Sequence, residues 1–457
     1  MGQYVAAIPY TQNAVATGPY LWSNQGQGNQ FARPNGSPGC RVGAIVGQFL
    51  FLADLYQQQQ QTLFTGNSSQ TSFSGSLVVP MAASGAILDQ QGTLSGGFNN
   101  GVVVGSGYLS SGTINYATGA LSLTFGTAPP TGDVVYAQYI QEAPYRCWWS
   151  AIGDPTNYPT PLTNAAIAAQ SGYNDLQVDL GPVLFVAGYP LYGLVFQRFG
   201  ITRAQYIGGN VVFSWQPYEF KRGCIAHGAA IKVGPGVYFL ADDGFWYTDG
   251  ANVVPVGTAG DNSAGIDNWL WANLNASALE AIRAGYDSNK RCIFFAIPTG
   301  SNTLPDTLLI YNLLAQRWTR AAVATETLWT ADNGVNGEPG TRQLLGIMDQ
   351  THTPDNLSGP PLTGYLESCD LYATDGNRRT TTGVRPHLSA TDLAYVTVGN
   401  RDNLSDPVIY GSGNYQNGFS KIAPAMGGGI YNRVRVQSTN AQSFQGATLL
   451  LEQNGSI

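Results

Sequence analysis

From Gly223 to Val256 the chain reads GCIAHGAAIKVGPGVYFLADDGFWYTDGANVVPV, and its apolar residues fall in short runs broken by Gly, Pro, Asp and Asn. Residues 229–233, 237–240 and 245–247 predict three strands. Gly234, Pro235 and Gly236 predict the first turn and Asp242, Asp243 and Gly244 the second, because Gly reaches positive φ, Pro presets φ and Asp side chains close turns. Asp249 and Gly250 turn the chain once more before 252–256. Four short antiparallel strands in about 30 residues are the size of one propeller blade.

The same texture recurs along the chain. VGQFLFLAD at 46–54 matches VGPGVYFLAD at 233–242 with one residue's difference in the turn, and LGPVLFVAG at 180–188 carries the pattern again, which marks an internal repeat. YGLVFQRFG, ITRAQYIGG and VVFSWQ add short punctuated strands, and 290–321 rebuilds a blade from KRCIFFAIP, DTLLIYN and QRWTRA; RQLLGIM and GYLESCDLY are weaker strands. One helix is predicted, in GIDNWLWANLNASALEAIRAGYDS, starting near the capping residue Asp267.

Three segments break the repeat. Residues 1–40, rich in Gly, Asn, Gln and Pro, predict an extended arm. The glutamine run 57–61 leads into 62–140, where alternating positions in SGTINYATGALSLTF and VVYAQYI predict a small β-sandwich inserted in a loop. From 376 to 457 longer strands predict a C-terminal β region that closes or packs on the rest, with Gly427, Gly428 and Gly429 as a turn or hinge. The expected class is all-β, with 41–61 and 141–375 forming a β-propeller. Roughly 250 to 280 residues at about 40 to 50 per blade give five to seven blades.

Composition sharpens this picture. Hydrophobic residues make up 43% of the 457, but charged residues only 11%, and there are 57 glycines; the usual charged share is roughly 25%. A surface covered by Gly, Ser, Thr, Asn, Gln and Tyr suits a turn-rich protein buried against other subunits. The net charge of −7 argues against gripping nucleic acid through a basic face and is compatible with DNA sliding past. Cys40, Cys147, Cys224, Cys292 and Cys369 are dispersed singly, which reads as reduced thiols. No stretch reads as a signal peptide or membrane span.

Candidate chemistry is sparse. His227, His352 and His387 belong to no ligand motif, and His227, beside a core strand, reads as a structural histidine. No GxSxG, Walker loop or helix-opening GxGxxG occurs, so the chain is expected to be no enzyme, with no cofactor or metal. Asp242, Asp243 and Trp246 in ADDGFW resemble the Asp-box turn of sialidase-like propellers, in which the acid caps a hairpin. Turn capping and blade packing are their expected roles. Trp148, Trp149 and Trp318 fall at strand ends or turns, where a large ring covers the gap between wedge-shaped blades.

The order of these pieces resembles the tail nozzle, or packaged-DNA stabilisation, proteins of short-tailed bacteriophages. The residues that carry it are RCWWSAIGDPTNY at 146–158, with Trp148, Trp149, Ser150, Asp154 and Pro155, then LFVAGYPLYGLVFQRFG at 184–200, the 221–257 stretch, AGYDSNKRCIFFAIP with DTLLIYNLLAQRWT, and the terminal YNRVRVQSTNAQSFQGATLLLE. The resemblance implies a structural virion protein, assembled in the host cytoplasm into a hexamer below the portal-adaptor ring. It implies a channel that retains and later conducts double-stranded DNA without reading its sequence, docking of tailspikes or fibres and of a plug or needle, and no membrane. The alternative is a carbohydrate-binding or glycan-degrading propeller of a phage or cell surface.

Overall fold

The computed structural model describes residues 4–7, 20–23, 33–34, 36–257, 265–332, 343–355, 364–372, 377–388, 393–438 and 444–453. The fold is all-β. Two compact units divide the chain, 1–357 and 358–457.

The first unit is built from short antiparallel sheets that follow chain order. Sheet II comprises Val183–Gly188, Tyr192–Gln197, Ile201–Tyr206 and Phe213–Glu219; sheet III, Ala230–Val233, Gly236–Ala241, Gly244–Thr248 and Val253–Pro255; sheet IV, Arg283–Asp287, Cys292–Ile297, Thr307–Asn312 and Arg317–Ala322. Sheet I has the same plan, Gly39–Val46, Phe49–Thr65, Val134–Trp149 and Gly172–Asp175, with the insertion between its second and third strands. Sheet V has Thr327–Asp332, Gln343–Met348 and Pro354–Asp355. The first strands of I to V touch one another in succession. Sheets II, III and IV are each four-stranded antiparallel meanders.

Packing between successive sheets explains the unbroken apolar runs, because a strand covered on both faces does not alternate. In CIFFAI, Phe295 packs with Phe245 of sheet III at 4.7 Å, while Phe294 joins Leu328 and Leu345 of sheet V. In sheet II, Phe196 meets Phe239 of sheet III at 5.2 Å, and Val195 faces the sheet I cluster of Phe49, Phe51 and Trp149. Gly188 is required by this stacking: a Cβ there would lie 1.7 Å from the Ile45 carbonyl oxygen.

The repeat is thereby refined. Phe49 and Gly236 each open the second strand of a meander, so VGQFLFLAD and VGPGVYFLAD occupy equivalent hairpins. LGPVLFVAG does not: its VLFVAG is a first strand, and the equivalent hairpin of sheet II is centred on Tyr189–Leu191.

The insertion grows directly out of sheet I. Its strands add to Phe49–Thr65 and Val134–Trp149 in one continuous antiparallel sheet, running on through Met81–Asp89, Ser95–Asn99, Val102–Ser106, Leu109–Ile114, Ala120–Phe125 and Ser72–Ser76. That sheet folds over its own core of Ile87, Phe98, Val103, Leu123, Phe125 and Val135. The glutamine run is part of the long strand, with Gln59 opposite Tyr139 and donating to Gln141 Oε1 at 2.9 Å.

Other expectations shift. The single helix is two pieces, Ile266–Asn273 and the 3-10 turn Ala276–Ala281, because Asn275 is extended and its side chain caps the second piece by accepting from Ser277 N. Gly265 is the N-cap; Asp267 instead accepts from Phe245 N at 3.0 Å. A short helix at Asn164–Ala168, capped by Thr163, also appears. Of the arm, Tyr4–Ala7 pairs antiparallel with Tyr20–Ser23; most of 1–40 lies outside the described residues.

In the second unit, Gly364–Glu367 and Leu371–Tyr372 both pair with Tyr431–Ser438, so the boundary falls before 364 and not at 376. Gly427–Gly429 is a strand against Arg379–Thr381, not a hinge. The core holds Val384, Val396, Val398, Val434 and Val436. On the Tyr431–Ser438 strand, Arg433 and Arg435 pair with Asp370 and Glu367.

Candidate functional site

The residues singled out from sequence fall into two groups that the fold keeps apart. In sheet I, Trp149 donates from Nε1 to the Gln170 carbonyl at 2.9 Å and stacks on Phe51. Ser150 is fully buried, accepting from Leu50 N at 3.0 Å. Asp154 accepts from Thr156 N and Oγ1 in a turn that contains Pro155. Trp148 meets Tyr158 edge-on, and its buried Nε1 has no hydrogen-bond partner.

The second group lies in sheets III and IV. Asp242 pairs with Arg198 at 2.6 Å and Asp243 with Arg222 at 2.8 Å, both arginines coming from loops of sheet II. Asp243 also accepts from Trp246 Nε1, and the Arg222 guanidinium lies 3.9 Å from the Trp246 ring centroid. Trp318 donates to the Val256 carbonyl at 2.8 Å with its ring 4.5 Å from Phe245. Both acids pair with arginines and not with backbone N–H groups, so the expected turn-capping role gives way to ion pairing with the neighbouring segments.

A different group of charges converges from three sheets. His227, just before the first strand of sheet III, places Nε2 2.8 Å from Asp54 Oδ2 and Nδ1 2.9 Å from Glu280 Oε2. Asp54 belongs to the second strand of sheet I, and Glu280 precedes the first strand of sheet IV. Opposite Asp54, Arg41 bridges to it and to Glu142 of the third strand, each at 3.2 Å. Asp54 is buried at 2% exposure and has φ 49°, a left-handed conformation that Asp tolerates better than most residues.

Electrostatics fix the state of this cluster. Burial alone would lower the His227 pKa, but hydrogen bonds to Asp54 and Glu280, and the charges on them, outweigh it and raise it to about 9. His227 is therefore an imidazolium at neutral pH, donating from both nitrogens. In that form it ties three sheets together. Sequence offered no spacing signal for the group, since its members stand at 41, 54, 142, 227 and 280.

A cleft of about 380 Å³ opens at the root of the insertion, lined by Pro80, Gln141, Glu142, Tyr145, Arg146 and Asp175 among others. Arg146 is held there by both Asp175 oxygens, at 2.6 and 2.7 Å, with Tyr173 4.0 Å away. Among the described residues no group of three or more His, Cys, Asp or Glu is placed to hold a metal ion, and no helix is long and apolar enough to cross a membrane.

No family model matches the chain, and no curated protein matches it. Among solved structures, an exo-β-1,3-galactanase from Phanerochaete chrysosporium is similar at 9% identity over 86% of this chain and 99% of that one, with a TM-score of 0.23. A Synechocystis apocarotenoid oxygenase is similar at 9% identity over 53% and 62%, with a TM-score of 0.21. Both are enzymes, which corrects the expectation that the chain is no enzyme. At these TM-scores neither brings a reaction or substrate with it.

Proposed function

We propose that the chain is an assembly subunit, the blade-built wall of a hexameric tail nozzle in a short-tailed bacteriophage. It retains packaged DNA, lines the exit channel and docks tailspikes or fibres below the portal-adaptor ring. The observation that carries this reading is the apolar character of the turn ends of sheets I, II and IV. Ile45 is 62% exposed, Leu191 66%, Val211 64% and Leu314 70%. Each lies at or beside a first-to-second or third-to-fourth turn, and in a meander those turns share one end. With so few charges around them, such residues belong in contact with another surface. The insertion, on a continuous pair of long strands, supplies a stiff projection for a fibre. Electron microscopy of the purified protein and of tails tests the reading: sixfold rings support it, and a persistent monomer absent from tails overturns it.

A second reading is favoured by the cleft beside Arg146. Its volume is in the range of small-ligand sites, and Gln141, Arg146 and Tyr145 offer the planar polar and aromatic surfaces that a glycan uses. Glycan binding or release that is lost in Arg146→Ala, with assembly intact, would favour it over the nozzle.

A further inference from the structure

The long strand Phe49–Thr65 is covered on both edges for only part of its length. Gly39–Val46 lines one edge as far as Gly39 opposite Tyr56, whereas Val134–Trp149 lines the other edge out to Thr65. Gln90 N donates to the Val134 carbonyl, so the even residues of 134–140 turn their backbone groups to Met81–Asp89 and the odd ones to the long strand. Through the pairs Tyr139↔Gln59 and Ala137↔Gln61, the N–H and C=O groups of Gln58 and Gln60 then point to the uncovered edge. No described strand meets them there. Farther along, the edge is occupied again: Gln61 Nε2 donates to the Ser76 carbonyl at 2.8 Å, and Phe64 stacks on Phe73 at 4.5 Å. What remains open is residues 57–60, a gap closed at both ends.

Open strand edges are usually guarded by Lys, Pro or a bulge. This one carries only glutamines, and the insertion beyond it, 62–140, has no charged residue except the buried Asp89 and Asp133. A gap this short excludes the edge of a second whole sheet and admits one short strand. The chain holds a strand that fits. Tyr4–Ala7 is 4 residues long, residues 1–32 contain no Asp, Glu, Lys, Arg or His, and the ribbon that it forms with Tyr20–Ser23 joins no other described sheet. An isolated two-stranded ribbon is marginal in water, and a further strand stabilises it. The stretch from Ser23 to Gly39 is a tether of up to about 50 Å. We propose that Tyr4–Ala7 of a neighbouring copy adds to the long strand at 57–60 and hydrogen-bonds the backbone of Gln58 and Gln60. Donor and acceptor are different parts of the chain, so the contact runs head to tail, the arrangement that closes a ring. It rests on the ring-forming subunit proposed above and assigns the contact that joins its neighbours.

The test replaces Gln60 of the full-length chain by photoreactive benzoylphenylalanine, co-assembles unlabelled and heavy-isotope-labelled protein, and identifies the cross-linked peptides by mass spectrometry. Cross-links from position 60 to residues 1–23 that join a light and a heavy peptide are expected. Cross-links to 1–23 of the same chain only, or none to 1–23, overturn the proposal. Hydrogen exchange checks it with the edge unaltered: the amides of Gln58 and Gln60 should exchange at least about tenfold more slowly in the assembled wild type than in a chain lacking residues 1–23. Equal rates overturn it. Sixfold rings in which those two amides exchange freely refute this contact and leave the ring standing, whereas light-to-heavy cross-links in assemblies that are not sixfold keep the contact and refute the nozzle.

Discussion

His227 and Asp54 stand 173 residues apart in sequence and 2.8 Å apart in the fold. With Glu280 on the other ring nitrogen, this contact joins sheets I, III and IV around one imidazolium. Removing the imidazole takes a charged partner from both carboxylates, one of them almost fully buried, while Arg41 still faces Asp54. His227→Ala should therefore destabilise the first unit by roughly 2 to 3 kcal/mol, on the scale of losing charge-assisted hydrogen bonds at a buried carboxylate. Urea unfolding of the full chain measures it; a loss below about 1 kcal/mol would show that the tie contributes little.

The same contact predicts a pH dependence. The folded pKa of His227, about 9, lies above the ordinary value of about 6.5, so the folded state binds the proton more tightly. The contribution is complete below about pH 6.5 and disappears as pH rises through 9, and it amounts to about 3 kcal/mol. Unfolding midpoints at pH 6 and pH 9.5 should differ accordingly. His227→Gln should flatten that slope.

Asp267 predicts a trend over a lower range. Burial lifts its pKa to about 6, against the lowering effect of its bond from Phe245 N. An acid whose folded pKa is raised stabilises the fold while neutral, and that contribution is lost as pH rises from about 4 through 6. Asp267→Asn keeps an acceptor for Phe245 N and removes the titration. The variant should lose less stability than wild type between pH 4 and 7, read by denaturant midpoints.

Gly188→Ala tests the stacking of sheets I and II. The added methyl meets the Ile45 carbonyl, a backbone group that cannot rotate away. About 3 kcal/mol or more of destabilisation is expected. Near-neutral behaviour would mean that the two first strands are not pressed together.

The sheets were legible in the sequence because turn chemistry is local: Gly234-Pro235, Asp242-Asp243-Gly244 and Asp249-Gly250 all mark turns of sheet III. The phase of LGPVLFVAG was not, since a doubly covered first strand and second strand share one apolar texture. The helix broke at Asn275 because a side-chain cap competed with helix continuation, and Leu371–Tyr372 found its partner about 60 residues on, beyond the reach of local pattern. The charged cluster was illegible for a related reason. Arg41, Asp54, Glu142, His227 and Glu280 become neighbours only once separate sheets are stacked, and no spacing announces that.

The nozzle reading stands or falls on assembly. Mass photometry and negative-stain imaging of the purified full-length chain, beside a variant carrying Leu191→Glu and Val211→Glu at the turn end of sheet II, test it most directly. Sixfold rings for the wild type and monomers for the variant are predicted. A wild-type protein that remains monomeric at micromolar concentration and joins no tail would contradict it.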